Sequence, residues 1–301
     1  MRRWIAGFGV VALALTLAAC ARTPASSDVS PMSPEQEKAL LHQQAASALA
    51  RWDAAAGPVT GPLFLPVRDG VSQVGDWEPN LVPEKSDLLR LDIRDPGNLP
   101  AAPMPTAPVR WADGVATNLP MIAASEALGV IAKPTKCQAT CVQLELAGVD
   151  LITGTVLTTR GPATAPVWQF HIKGSAVLVQ VPAVTGPKVA WTPPPWDSAN
   201  RPVGLQFNSA EGSVTGKSLT ISFVGAEFGA DKPCGVDYPT EAVESPRAVV
   251  VIIYERRHSA GDTCDMVGHL RTATVALSSP LGERAVLEVV TGSPIETIRV
   301  P

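Results

Sequence analysis

Aromatic side chains are scarce in this chain, 5% of 301 residues with two tyrosines among them, and charged side chains are scarce as well, at 17%. A formal net charge of −4 leaves no basic excess with which to hold a nucleic-acid backbone or an anionic bilayer surface, so no nucleic-acid partner is expected. The apolar run at residues 4–15 is too short to cross a bilayer as a helix, which takes about 20 residues. Several reactive motifs are absent from the sequence. There is no G-x-S-x-G elbow to expose a serine nucleophile and no G-x-x-x-x-G-K loop to cradle phosphate. There is also no H-E-x-x-H pair and no D-x-D-x-D-G calcium loop.

What is present begins at the N-terminus. Met1-Arg2-Arg3, the uncharged run at 4–15 and Leu17-Ala18-Ala19-Cys20 have the layout of a lipoprotein signal peptide. Residues 1–19 are expected to be cut away, leaving Cys20 as a diacylglyceryl N-terminus. Two acyl chains, at about 0.8 kcal/mol per buried methylene, hold a protein firmly where one does not. The expected location is therefore the extracytoplasmic face of the cell membrane, with the membrane as partner through Cys20. The two arginines serve as an ordinary basic start for the general secretory route, since the remainder of a twin-arginine signal is missing. Loss of Arg2 and Arg3 leaves 22 basic against 28 acidic side chains, a formal charge of −6.

After Cys20 the cysteines are Cys137, Cys141, Cys234 and Cys264, an even number in a compartment where disulfides persist. Three connectivities are possible. Proximity in sequence favours Cys137 with Cys141 and Cys234 with Cys264, the longer loop contributing about 3.6 kcal/mol on chain-entropy grounds. A four-thiolate zinc site is the competing reading, but C-x3-C followed by two isolated cysteines is a poor ligand frame. No metal and no cofactor are expected.

Hydrophobic residues make up 46% of the chain, enough for substantial cores, and 29 prolines and 24 glycines spread without a period punctuate it into short segments. Residues 20–32 are small, polar and proline-bearing, a flexible tether. Ser33-Pro34-Glu35-Gln36 reads as a capped helix start, and Leu41, Ala45, Ala48 and Trp52 continue one face as far as Gly57-Pro58, giving a helix over 33–57. Period two follows. Val142, Leu144 and Leu146 alternate with polar neighbours, as do Trp168, Phe170 and Ile172, and Leu219, Ile221 and Phe223. A short helix is expected near residues 123–130. The unbroken apolar run from Ala248 to Tyr254 reads as a strand covered on both faces at the centre of a sandwich. These patterns predict a mainly β fold of antiparallel, sandwich-like modules, two of them, at 58–190 and 203–301, divided by a proline-rich linker at 191–202. Trp191 and Trp196 flank that linker's prolines, either packing it onto its domain or offering a platform for sugars or an aromatic groove.

Three segments then carry a resemblance: Gln73-Val74-Gly75-Asp76-Trp77-Glu78; Arg160-Gly161-Pro162-Ala163 running into Trp168-Gln169-Phe170; and Pro280-Leu281-Gly282-Glu283-Arg284-Ala285-Val286. Together with the stretch from Cys234 through Asp237-Tyr238 and Glu241 to Ser245 and Cys264, their order resembles a group of uncharacterised actinobacterial lipoproteins and secreted proteins. The resemblance implies an exported β-rich body on a surface with one membrane, and it brings no mechanism.

The densest polar neighbourhood is Tyr254-Glu255-Arg256-Arg257-His258, followed by Asp262, Cys264, Asp265 and His269. Its histidines lack metal-ligand spacing, and a solvated loop closed by a disulfide accounts for all of it. Asp237, Tyr238, Glu241 and Glu244 form a second, acidic cluster. Paired carboxylates can perform acid and base steps, yet Pro239-Thr240-Glu241 also reads as a turn into one helical turn capped by Thr240. His171 reads as a surface residue and Arg160 as an exposed cation at a strand end. The candidates for catalysis are Asp237, Glu241 and His258. The expected role is non-enzymatic, a lipid-anchored surface protein binding a protein or envelope glycan. The alternatives are an envelope-acting hydrolase using those three residues, and a solute-binding lipoprotein, for which the strand-rich pattern is a poor match.

Overall fold

The helix expected after Ser33 forms as α1 (Pro34–Ala56), with the capping box in place. Ser33 Oγ accepts from the Gln36 amide at 3.2 Å, and Gln36 Oε1 accepts from the Ser33 amide at 2.9 Å. The architecture is that of a computed structural model, which describes residues 32–57, 61–79, 91–94, 97–132, 144–189, 202–259, 264 and 267–300. Outside these residues lie the expected signal peptide, Cys20, nearly all of the expected tether, Cys137, Cys141, the 191–196 stretch, Asp262 and Asp265. Among the described residues no helix is long and apolar enough to cross a membrane.

The N-terminal body comprises β1 (Ser72–Val74), β2 (Ile93–Arg94), β3 (Thr106–Trp111), β4 (Ala116–Pro120), α2 (Ala124–Ile131), β5 (Leu144–Thr158), β6 (Gly161–Ile172) and β7 (Leu178–Pro182). β6 organises it. One edge of β6 pairs with β5 from Gly161↔Thr158 to Ile172↔Leu146. The other edge is shared, β3 taking the first half at Thr164↔Arg110 and β7 the second from Val167↔Pro182 to His171↔Leu178. β4 and β1 extend the sheet beyond β3 and β7. Buried positions on β6 run Ala163, Ala165, Val167 and then Trp168, Phe170, Ile172, so the buried side flips between Val167 and Trp168. Successive strand residues face opposite ways, and β6 accordingly serves two cores, one with Phe64, Val109 and Trp111 and one with α2 and β7.

The C-terminal body comprises β8 (Ser209–Ser213), β9 (Ser218–Gly225), β10 (Val236–Asp237), β11 (Thr240–Glu244), β12 (Ala248–Ile253), β13 (Arg256–Arg257), β14 (His269–Ala276), β15 (Ala285–Glu288) and β16 (Glu296–Val300). One sheet runs β14-β9-β8-β16 and another β11-β12-β15. β12 is buried at every position. Val249, Val251 and Ile253 meet Leu219, Ile221 and Phe223 of the facing sheet, while Ala248, Val250 and Ile252 meet Leu41, Ala45, Ala48 and Trp52 of α1. The strand is thus covered on both faces as its apolar run requires, with α1 as one of the covers. Burying each such side chain is worth about 1.5–3 kcal/mol. The result is three layers, helix on sheet on sheet, in an otherwise mainly β molecule.

Residues Thr240 to Glu244 form strand β11, which corrects the helical turn expected there. They pair with β12 from Thr240↔Ile253 to Glu244↔Val249, and this ladder outweighs the local capping preference of Thr240. The sheets are also not purely antiparallel, since β15 runs parallel to β12 and β16 parallel to β8.

Candidate functional site

The two bodies meet at the tip of the β5–β6 hairpin, a two-residue turn of Thr159 and Arg160. Gly161 follows at φ +107, and a Cβ there would come within 3.0 Å of the Thr297 carbonyl oxygen on β16. Glycine is what lets the tip press against the second body. Thr158 Oγ1 ties the turn, accepting from the Trp111 indole at 3.0 Å and the Arg160 amide at 3.2 Å and donating to the Gly161 carbonyl at 2.6 Å.

Arg160 is 5% exposed, correcting its expected place as an exposed cation. Its guanidinium bonds Asp113 in the β3–β4 turn at 2.6 Å, bonds Glu283 of the C-terminal body, and lies 5.6 Å over the Trp111 ring. Two further buried arginines complete a clasp. Arg284 bonds Glu244 and donates to the Ser279 and Pro280 carbonyls, both at 2.7 Å. Arg299 on β16 donates to the Arg284 carbonyl at 2.7 Å, the Gly282 carbonyl at 3.2 Å and, across the junction, the Thr159 carbonyl at 3.4 Å. Burial, and then the nearby Arg160 charge, push the Arg299 guanidinium down to about 10. Burial raises the Glu244 carboxyl, but hydrogen bonds from Arg284 and Ser278 prevail and hold it below its usual value. Two of the segments that carry the resemblance, Arg160-Gly161 and Pro280 to Val286, are therefore brought together in space. The third is elsewhere, with Glu78 accepting from the Ala176 amide at 2.7 Å.

Two clefts open over the clasp. One, about 480 Å³, has Trp52, Pro62, Leu63 and Val115 as apolar walls and Arg247 and Glu283 as charged lining. The other, about 520 Å³, is lined by Glu244, Ser245, Ser278 and Ser279 and shares Pro246, Glu283 and Arg284 with the first. Together they offer fixed donors and acceptors beside apolar walls, an arrangement suited to holding a ligand. Ser245 is not set up as a nucleophile. Its hydroxyl donates to Asp53 Oδ1 at 3.0 Å and accepts from the Ala248 amide at 3.0 Å.

The sequence-derived candidates fall into two separate places, and neither is in these clefts. Asp237 accepts from the Ala230 amide at 3.0 Å and His258 Nδ1 lies 2.8 Å from the Ala230 carbonyl oxygen, so both side chains grip one loop. Cys234 is disulfide-bonded to Cys264 beside them. Glu241 instead receives the Tyr254 hydroxyl at 2.9 Å, Lys38 at 3.1 Å and His42 at 3.1 Å, clamping α1 to β11 and β12. Burial raises the Glu241 carboxyl and those three donors lower it, for a net fall. Burial and the Glu241 carboxylate push the Tyr254 hydroxyl up. Among the described residues no group of three histidines, cysteines or carboxylates is placed to hold a metal ion.

Sequence reasoning missed Asp113 and Glu283 as partners of Arg160, and Arg284 and Arg299 as the other buried arginines of the clasp. Strand alternation would have buried Ile298 and Val300, whereas β16 buries Thr297 and Arg299. The inward arginine is set by the hairpin tip docked against it, a contact with no local signature. Comparison of the chain with protein-family models, with curated proteins and with solved structures finds no match.

Proposed function

We propose that this chain is a lipid-anchored protein of the extracytoplasmic face of the cell membrane with a non-enzymatic role, binding a protein or an envelope glycan in the clefts over the arginine clasp. Kinship with the actinobacterial lipoproteins belongs to the same proposal. The observation that carries it is how the reactive side chains are used. Asp237 and His258 hold a loop and Glu241 holds a helix, while the two clefts over the clasp lie open with none of the three in their lining. A hydrolase would need two of them converging on one substrate position. The anchor reading rests on residues 1–20 and is supported by the seating of α1, which gives the expected tether a fixed point of departure at Ser33.

Mild crosslinking in intact cells, followed by purification of the protein from membranes, tests this directly. A protein or glycan recovered at fixed proportion, together with acyl label that disappears in Cys20→Ser, is the expected result. Recovery of the protein alone, or turnover of an envelope polymer that Glu241→Gln or His258→Ala abolishes, would overturn it.

A further inference from the structure

A third concavity, about 410 Å³, lies away from the clasp on the outer face of the N-terminal sheet. Its floor is low because β6 and β3 present Thr164, Pro166 and Pro108 there, and its walls are long side chains, Met104, Met121 and Leu151. Met104 is 49% exposed and Leu151 38%, large apolar groups left facing water. Methionine walls are unbranched and adaptable, so they follow the shape of a flexible chain. Arg110 lines the same trough, opposite Thr164 in the β3–β6 register. It is exposed, and among the described residues no carboxylate pairs with its guanidinium.

An apolar trough with one uncompensated cation is complementary to one kind of small molecule, an anion on a single apolar chain. We infer that this trough binds a free long-chain carboxylate, the chain lying on Pro108, Pro166 and Leu151 and the carboxylate meeting Arg110. A guanidinium and a carboxylate form a charge-assisted pair that an alcohol or amine headgroup cannot reproduce. The site needs no rearrangement of the sheet, because the floor is strand backbone held by the β3–β4 ladder at Pro108 and the β5–β6 ladder at Thr164 and Pro166.

The test is photolabelling of the full chain in cells with a diazirine- and alkyne-bearing dodecanoic acid, the labelled residues being mapped by mass spectrometry. Label is expected on segments carrying Met104 or Leu151. Leu151→Asp, at an exposed position, should cut it about tenfold with the thermal transition unchanged. Arg110→Gln should cut labelling by the acid at least about threefold, the size of one exposed charge pair, and leave labelling by the matching dodecanol probe unchanged. Labelling that ignores Leu151→Asp, an equal loss of acid and alcohol, or preferential capture of a diacyl phospholipid probe would each overturn the inference.

Discussion

Arg160 and Asp113 are both almost wholly removed from water, with 4% and 3% of their side chains exposed. Pairing offsets the desolvation of each, and removal of Arg160 leaves the Asp113 carboxylate buried without its cation. Arg160→Ala should therefore cost about 3–5 kcal/mol in urea unfolding, and the double variant with Asp113→Ala should recover part of that loss. The carboxyls of Glu241 and Glu244 make a prediction in pH. Both are held below their usual 4.5, so the folded state binds fewer protons than the unfolded one, and their stabilisation is present above 4.5 and lost as pH falls through the depressed values. Glu296, raised by burial, works in the opposite sense and favours the folded state in acid. Thermal melts titrated from neutral to acid should show a net fall in stability that Glu244→Gln makes shallower. At this scale the sequence was only partly legible. The caps Ser33 and Gln36 are legible because their partners are local, whereas the burial of Arg160 is not, because its partners Asp113 and Glu283 are far away in the chain.

Elements divide in the same way. The boundaries and buried face of α1 are written in its caps and its apolar period, but what it covers is not, because a period identifies a face and no neighbour. The docking should be energetically large. Trp52 is 1% exposed against β12 and β15, so Trp52→Ala should cost about 3–5 kcal/mol and speed amide exchange across β12 before it affects β6. The β11 segment shows the converse, a strong local cap signal overruled by a ladder to a strand later in the chain. The Cys234–Cys264 bridge spans a sequence separation of 30 and closes the segment that carries Asp237 and His258. Replacing both cysteines by alanine should lower stability by up to about 3.6 kcal/mol while the far-ultraviolet circular dichroism is kept, since the four-stranded sheet is held by its own ladders.

Across the whole molecule, the hairpin tip of the N-terminal body is grasped by the last strand and the 280–284 loop of the C-terminal body, and the helix nearest the expected anchor is built into that second body. The expected division into two modules rests on the proline-rich stretch at 191–202, whereas the junction between the bodies has no such mark, since it depends on Arg160, Arg284 and Arg299 converging from distant segments. The proposed partner sits over that junction. The most direct measurement is a photo-crosslinking residue placed at Pro246, exposed and shared by the two clefts, with Thr220 on the outer face of β9 as the control position. One dominant adduct in intact cells from position 246, absent from position 220, is the predicted result. Adducts of equal pattern from both positions, or none from 246, would contradict a binding role for the clasp.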